Sequence, residues 1–199
     1  LVAALKEDEE RKQTLEVIDA HNKFADNERQ MLDAVRKREG RDAVGKPDGT
    51  GGVYNDALTW YDKEAQAVID SMGSERQKLL MSKMVGANRD KGLDAVSLHQ
   101  AHQQKVYADG VSEGALQAAK SRVGMIWGDV AGVDAESQKD LAPIDAAHPG
   151  QDNTKRKLLA QQDIYGHAVQ LALAYGDKDN YAYARELLFG KKGATGTGA

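Results

Sequence analysis

Apolar residues recur at alternating three- and four-residue spacing along most of the chain, and no stretch shows the period-two alternation of a strand; Val53-Tyr54 is the nearest and is too short. Between Ala3 and Arg38, one stripe runs through Leu15, Ile18, Asn22, Ala25 and Leu32. Val17, Phe24, Met31 and Val35 form a second beside it. At about 100° per residue the two cover a broad apolar arc, with Asp19, Lys23, Asp26, Gln30 and Lys37 opposite. The pattern predicts a helix of about 36 residues, roughly 54 Å long. Such a length calls for a partner along it.

Gly40 ends that pattern, and Gly45, Pro47, Asp48, Gly49, Gly51 and Gly52 predict an extended loop. Leu58, Tyr61, Ala65, Val68 and Met72 resume helical spacing until Gly73. Ser74-Glu75-Arg76-Gln77 has the form of a capping box, in which the serine hydroxyl takes an orphan amide and the glutamine reaches back. Leu80, Met84, Ala87, Val96, Leu98, Val106 and Val111 then carry the helical pattern toward Ile126 and Trp127, punctuated by glycines 86, 92, 110, 114 and 124. Each glycine costs about 1 kcal/mol against alanine within a helix. A continuous rod to about Ala108 is therefore expected, with one helix or two left open over 74–127. Gly128–Asp134 reads as a loop, with Asp134 capping a short helix to about Leu141; Pro143 and His148-Pro149-Gly150 break the chain again. Lys155–Tyr175, carrying Leu158, Leu159, Ile164, Val169, Ala172 and Leu173, reads as a helix. A turn at Gly176-Asp177-Lys178-Asp179 leads to a short one through Ala182, Ala184, Leu187 and Leu188, a hairpin of the tetratricopeptide type.

The expected fold is all-α: long antiparallel helices in an elongated bundle with a C-terminal helical hairpin. The expected organisation is a long-helix bundle over 1–127, a linker with a short helix over 128–150, the hairpin over 151–190, and a disordered Gly-rich tail over 191–199. Composition agrees: aromatic residues are 6 % and charged residues 29 %, which suits helices with wide solvated faces better than a thick core. Cysteine is absent, removing disulfides and thiolate chemistry. No apolar run approaches the roughly 20 residues of a membrane span. The early Glu7, Asp8, Glu9 and Glu10 do not fit a signal peptide. Leu1 in place of Met and the Gly/Thr/Ala end Gly193–Ala199 suggest a trimmed piece of a longer polypeptide. A net charge of −4 provides no general attraction to nucleic acid.

Candidate chemistry is sparse. His99 and His102 share a helix face and could hold zinc with a third ligand, but Gln100 stands where a metalloprotease helix needs Glu; His148 and His167 lie in other segments. The carboxylate groups Asp8/Glu9/Glu10 and Asp177/Asp179 fall in first turns or loops, where capping explains them better than acid–base catalysis. Gly49-Thr50-Gly51-Gly52 follows a helix and lacks the Lys-Ser/Thr of a phosphate-binding loop, so it reads as a connector. Arg36, Lys37, Arg38, Arg41 and Lys46 suit a helix C-terminus, with DNA contact as a weaker reading. Trp60-Tyr61 and Trp127 read as core anchors. No catalytic, cofactor-binding or metal-ligating residue is assigned. The residues expected to carry helix packing are Leu15, Ile18, Phe24, Leu32, Leu58, Tyr61, Val68, Leu80, Met84 and Leu98.

Several short elements resemble a family of large bacteriophage proteins, the virion structural, internal virion and DNA-ejection components. They are Gly40-Arg41-Asp42-Ala43-Val44-Gly45 after a long charged helix, Arg76-Gln77, Arg89-Asp90 and Gln103-Gln104-Lys105-Val106-Tyr107. Gln117-Ala118-Ala119, Ile126-Trp127-Gly128, His167-Ala168-Val169, Tyr175-Gly176-Asp177 and Ala184 continue the order. The resemblance covers roughly residues 20–188. It implies a non-enzymatic virion component in the capsid interior or tail, and allows delivery into the host envelope on infection. The implied partners are further copies of the chain and other virion proteins such as portal or tail components, with no cofactor. The alternative expectation is a helical adaptor that binds a peptide in the groove of its C-terminal hairpin.

Overall fold

The computed structural model describes residues 2–46, 50–126, 128–139 and 141–190. Pro47, Asp48 and Gly49 of the expected loop, Trp127 and the tail 191–199 lie outside them. The described residues form helices joined by turns, with no strand among them: α1 (Val2–Arg36), α2 (Gly40–Val44), α3 (Gly52–Asp70), α4 (Glu75–Val123), α5 (Val130–Lys139), α6 (Ala142–Ala147), α7 (Thr154–Tyr175) and α8 (Lys178–Phe189). The all-α class and the bundle character are as the periodicity implies. The chain divides into a unit of residues 1–107 and a unit of residues 108–199, and α4 contributes to both. This division replaces the expected boundary at 127.

In the first unit α1, α3 and α4 run up, down and up. Glu10 meets Arg76 at 3.2 Å, Glu28 meets Asn88, and His99 meets the Arg38 carbonyl, so α1 and α4 are parallel rather than antiparallel. Glu28 meets Tyr61 while Arg38, just after α1, meets Asp56, and Arg89 meets Asp62 while Gln100 meets Tyr54, so α3 is antiparallel to both. Val17, Phe24 and Val35 of α1 meet Val53, Ala57 and Tyr61 of α3 and Met81, Val85, Leu93 and Val96 of α4 in one apolar core. Phe24 and Trp60 pack with ring centroids 5.6 Å apart, and Phe24 and Tyr61 at 6.5 Å, within the range in which aromatic pairs attract. The capping box is present: the Ser74 hydroxyl accepts from the Gln77 amide (3.3 Å) and Gln77 Oε1 accepts from the Ser74 amide (3.0 Å).

The short helix α2 stands where a loop was expected. The end of α2 and the start of α3 approach closely: a Cβ on Gly45 would lie 2.7 Å from the Gly52 nitrogen and one on Gly52 would lie 2.6 Å from the Val44 oxygen. Both glycines also have positive φ, 85° and 80°, so close chain approach and a left-handed backbone exclude a side chain there.

The second unit contains the end of α4 with α5, α6, α7 and α8. Its core joins Ala119 and Val123 of α4, Val133 of α5, Ile164, Ala168, Val169 and Ala172 of α7, and Tyr183, Ala184 and Leu187 of α8. The alanines let helices approach closely. Gly176, in the left-handed conformation, ends α7, and Asp177 caps α8 by accepting from the Asn180 amide at 2.8 Å. The hairpin therefore forms where the Gly-Asp turn places it. The expected linker 128–150 is instead two helices, and α5 packs on α7 and α8. Val133, Ser137, Ile144 and His148 are buried there. Pro143 does not break the chain; it sits in the first turn of α6, where a missing amide hydrogen costs nothing. Likewise α4 runs unbroken to Val123, through the glycines at 86, 92, 110 and 114.

Candidate functional site

The ten residues expected to carry packing separate into three groups. Phe24 and Tyr61 are fully in the first core, and Leu32, Leu58, Val68, Leu80 and Met84 pack against it. Leu15, Ile18 and Leu98 do not; they are 60 %, 43 % and 74 % exposed. Of the two stripes on α1, the fold buries Val17, Phe24 and Val35 and leaves the start of the other to solvent. More large apolar side chains stand exposed in the second unit, among them Leu159 and Leu173 on α7 and Leu188 and Phe189 on α8. These surfaces are the candidate functional feature of the chain.

Polar groups inside the first unit hold its helices in register. Glu28 accepts from the Tyr61 hydroxyl at 2.5 Å through one carboxylate oxygen and from the Asn88 amide at 2.7 Å through the other. A buried carboxylate satisfied on both oxygens by two other helices fixes which turns face each other. Burial, and then the carboxylate beside it, raise the Tyr61 phenol well above its usual value of 10.0. Further along, one stretch of α4 serves three helix ends. Gln103 Oε1 accepts from the Gly40 amide (2.9 Å), Gln100 Oε1 accepts from the Tyr54 amide (2.9 Å), and the His99 Nε2 lies 2.9 Å from the Arg38 carbonyl, to which it can donate only with a hydrogen on Nε2.

This accounts for the histidine pair. His99 is occupied with a backbone carbonyl, while His102 is exposed, and no group of three His, Asp or Glu side chains among the described residues is placed to hold a metal ion. The basic cluster is partly self-neutralised: Arg36 pairs with Asp33 at 3.3 Å, and Arg38 pairs with Asp56 and Asp42. The hydrogen bond that Arg38 donates to the Asp56 carboxylate is the main reason its guanidinium is held even more firmly protonated. Trp60 is half-buried and packs against the first core beside Phe24. Sequence reasoning missed the burial of Glu28, Gln77, Gln103, His148 and Asn153, all of them polar. The signal was their register: Glu28 lies four residues after Phe24, and Gln77 four before Met81, on the same helical faces as the apolar residues.

A shallow depression between α1 and α3 has an apolar floor of Ala20, Phe24 and Val68 with Lys23 and Glu64 at its rim. In the second unit a smaller one is lined by Gly124, Leu171, Tyr175 and Asn180. Among the described residues no helix is long and apolar enough to cross a membrane. No protein-family model, curated protein or solved structure matches the chain.

Proposed function

We propose that this chain is a non-enzymatic assembly protein that works by packing its helices against further copies of itself or a neighbouring protein, and that its setting is a bacteriophage virion, among internal or tail components. The observation that supports assembly is the exposure of large apolar side chains on well-formed helices: Leu15 and Ile18 on α1, Leu98 on α4, Leu188 and Phe189 on α8. Removing such surface from water stabilises an interface by about 25 cal/mol per Å², so a partner covering several of these side chains together gains several kcal/mol. The virion setting rests on the resemblance of the short elements between residues 20 and 188.

Size-exclusion chromatography with light scattering tests the assembly reading. The wild-type chain is expected to show a mass above that of one 21.6 kDa chain, rising with concentration. A variant with Leu15→Lys and Ile18→Lys, or Leu188→Lys and Phe189→Lys, is expected to lower it. A strictly monomeric wild type at high concentration overturns self-assembly. Co-purification with portal or tail proteins in intact particles tests the virion setting, and its absence from particles overturns it.

A second reading, a helical adaptor, draws on the α7–α8 hairpin and the depression at Leu171, Tyr175 and Asn180. It requires a monomer that binds a peptide there, and a Leu171→Glu change is expected to abolish that binding. A persistent oligomer without peptide binding rules it out.

A further inference from the structure

We infer that α4 contains a built-in opening point at Asp109–Ala118, within the second unit, where the helix melts and re-forms while the apolar core of that unit stays intact. Four observations converge on it. No residue from Asp109 to Ala118 is buried as a whole, although Ala108 before the stretch and Ala119 after it are. The core takes only Leu116, Ala119 and Val123 from this end of α4. The stretch therefore draws little of its helicity from packing, which is the usual source.

Its first half is also rich in poor helix formers. Asp109, Gly110, Val111, Ser112 and Gly114 all rank low, and the glycines are the worst. Neither glycine is required by its surroundings. A Cβ built on Gly110 or Gly114 meets nothing within 4 Å, whereas one on Gly92, in the first unit, would lie 1.7 Å from the Tyr61 hydroxyl. At Gly92 the lack of a side chain makes room for a neighbour; at 110 and 114 it leaves the backbone loose. Finally, the Ser112 hydroxyl oxygen is buried without a hydrogen-bond partner, so opening gives that group access to water. Against opening stand the Gln117–Glu113 side-chain bond (2.7 Å) and the approach of His148 Nε2 to Asp109 Oδ1 (3.5 Å). The first is exposed to solvent and the second has its Asp109 side exposed.

Hydrogen–deuterium exchange on the full chain, read by mass spectrometry, tests this. In the wild type, amides of 110–117 are expected to exchange at least tenfold faster than those of the flanking parts of α4, 80–100 and 119–123. Alanine improves helix stability over glycine enough to slow exchange by roughly four- to fivefold per site. Gly110→Ala with Gly114→Ala should therefore slow 110–117 by about twentyfold and leave α7 and α8 unchanged. Gly86→Ala, on the same helix and also in open space, should leave 110–117 unchanged. Equal protection of 110–117 and its flanks in the wild type overturns the inference, and that comparison stands even where the double variant fails to fold. So does a double variant that slows exchange equally throughout the second unit, since the stretch would then open only with the unit as a whole.

Discussion

Gly92 shows how one missing side chain sets the geometry of the first core. The Tyr61 hydroxyl occupies the space where its Cβ would be, and from there donates to Glu28. Gly92→Ala would gain under 1 kcal/mol of helix propensity. It would lose more by overpacking, about 1–3 kcal/mol, and by leaving a buried carboxylate oxygen unsatisfied, a further 1–3 kcal/mol. The clash dominates, so a net loss of about 2–4 kcal/mol is expected in urea unfolding. Gly86→Ala, with nothing within 4 Å, should instead gain about 0.5–1 kcal/mol. A Tyr61→Phe background should soften the Gly92→Ala penalty, since the atom it strikes is gone; equal penalties in both backgrounds would contradict this account. The same phenol gives a pH signature. Its folded pKa is raised above the unfolded value of 10.0, so its contribution is complete below that value and is lost as pH rises past it. Urea midpoints between pH 8 and 11 should fall in the wild type more than in Tyr61→Phe. None of this was legible in the sequence, because glycine spacing cannot distinguish a residue needed for close approach from one that costs stability.

At the scale of elements, local signals were readable and the choice of face was not. The capping box at Ser74 and the Gly176-Asp177 turn are set by neighbouring residues, and both form as their chemistry dictates. Ser74→Ala should cost about 1 kcal/mol, measurable by thermal unfolding of the first unit. Gln103→Ala should cost about as much although it lies in mid-helix, because it leaves the first amide of α2 without a partner. By contrast, the two stripes on α1 are equally apolar on paper. Which one is buried depends on where α3 and α4 lie, and their positions are fixed by the Glu28–Tyr61–Asn88 layer. That is why Val17 is in the core while Leu15 and Ile18 are exposed. The helices α2 and α5 were missed or shifted for a related reason. Gly40 and Gly128 look like terminators, yet helices begin at Gly40 and two residues after Gly128 once tertiary contacts supply what propensity lacks.

For the whole molecule, the boundary near residue 107 left no mark in the sequence because α4 crosses it without a proline or a loop. The two units nevertheless differ in where their titration-sensitive contacts lie. In the second unit Glu136 is held below its usual range by the hydrogen bond from Arg122 at 2.6 Å, Asp145 by that from Lys157 at 2.5 Å, and Asp152 by the Thr154 hydroxyl and amide. The first two join separate helices, α4 to α5 and α6 to α7. A carboxylate whose folded pKa is depressed contributes its stabilisation above the unfolded value, here 4.5 for Glu136 and 3.8 for the two aspartates, and loses it as pH falls through the lower folded value. In the first unit the shifted groups are Arg38 and Tyr61, both raised, so both simply stay protonated in acid, and the one ion pairing with carboxylates involved lies at the helix ends, where Arg38 meets Asp56 and Asp42, not in the core. Acidification below about pH 4 should therefore loosen the second unit before the first. Amide NMR spectra recorded from pH 6 down to pH 2.5 should lose the dispersed signals of α5, α7 and α8 while those of α1 and α3 persist. Glu136→Gln, which keeps the shape but not the charge, should move the second unit toward its acid-loosened behaviour already at neutral pH. Simultaneous loss of both sets of signals, or earlier loss of the first, would show that these ion pairs do not govern the acid response.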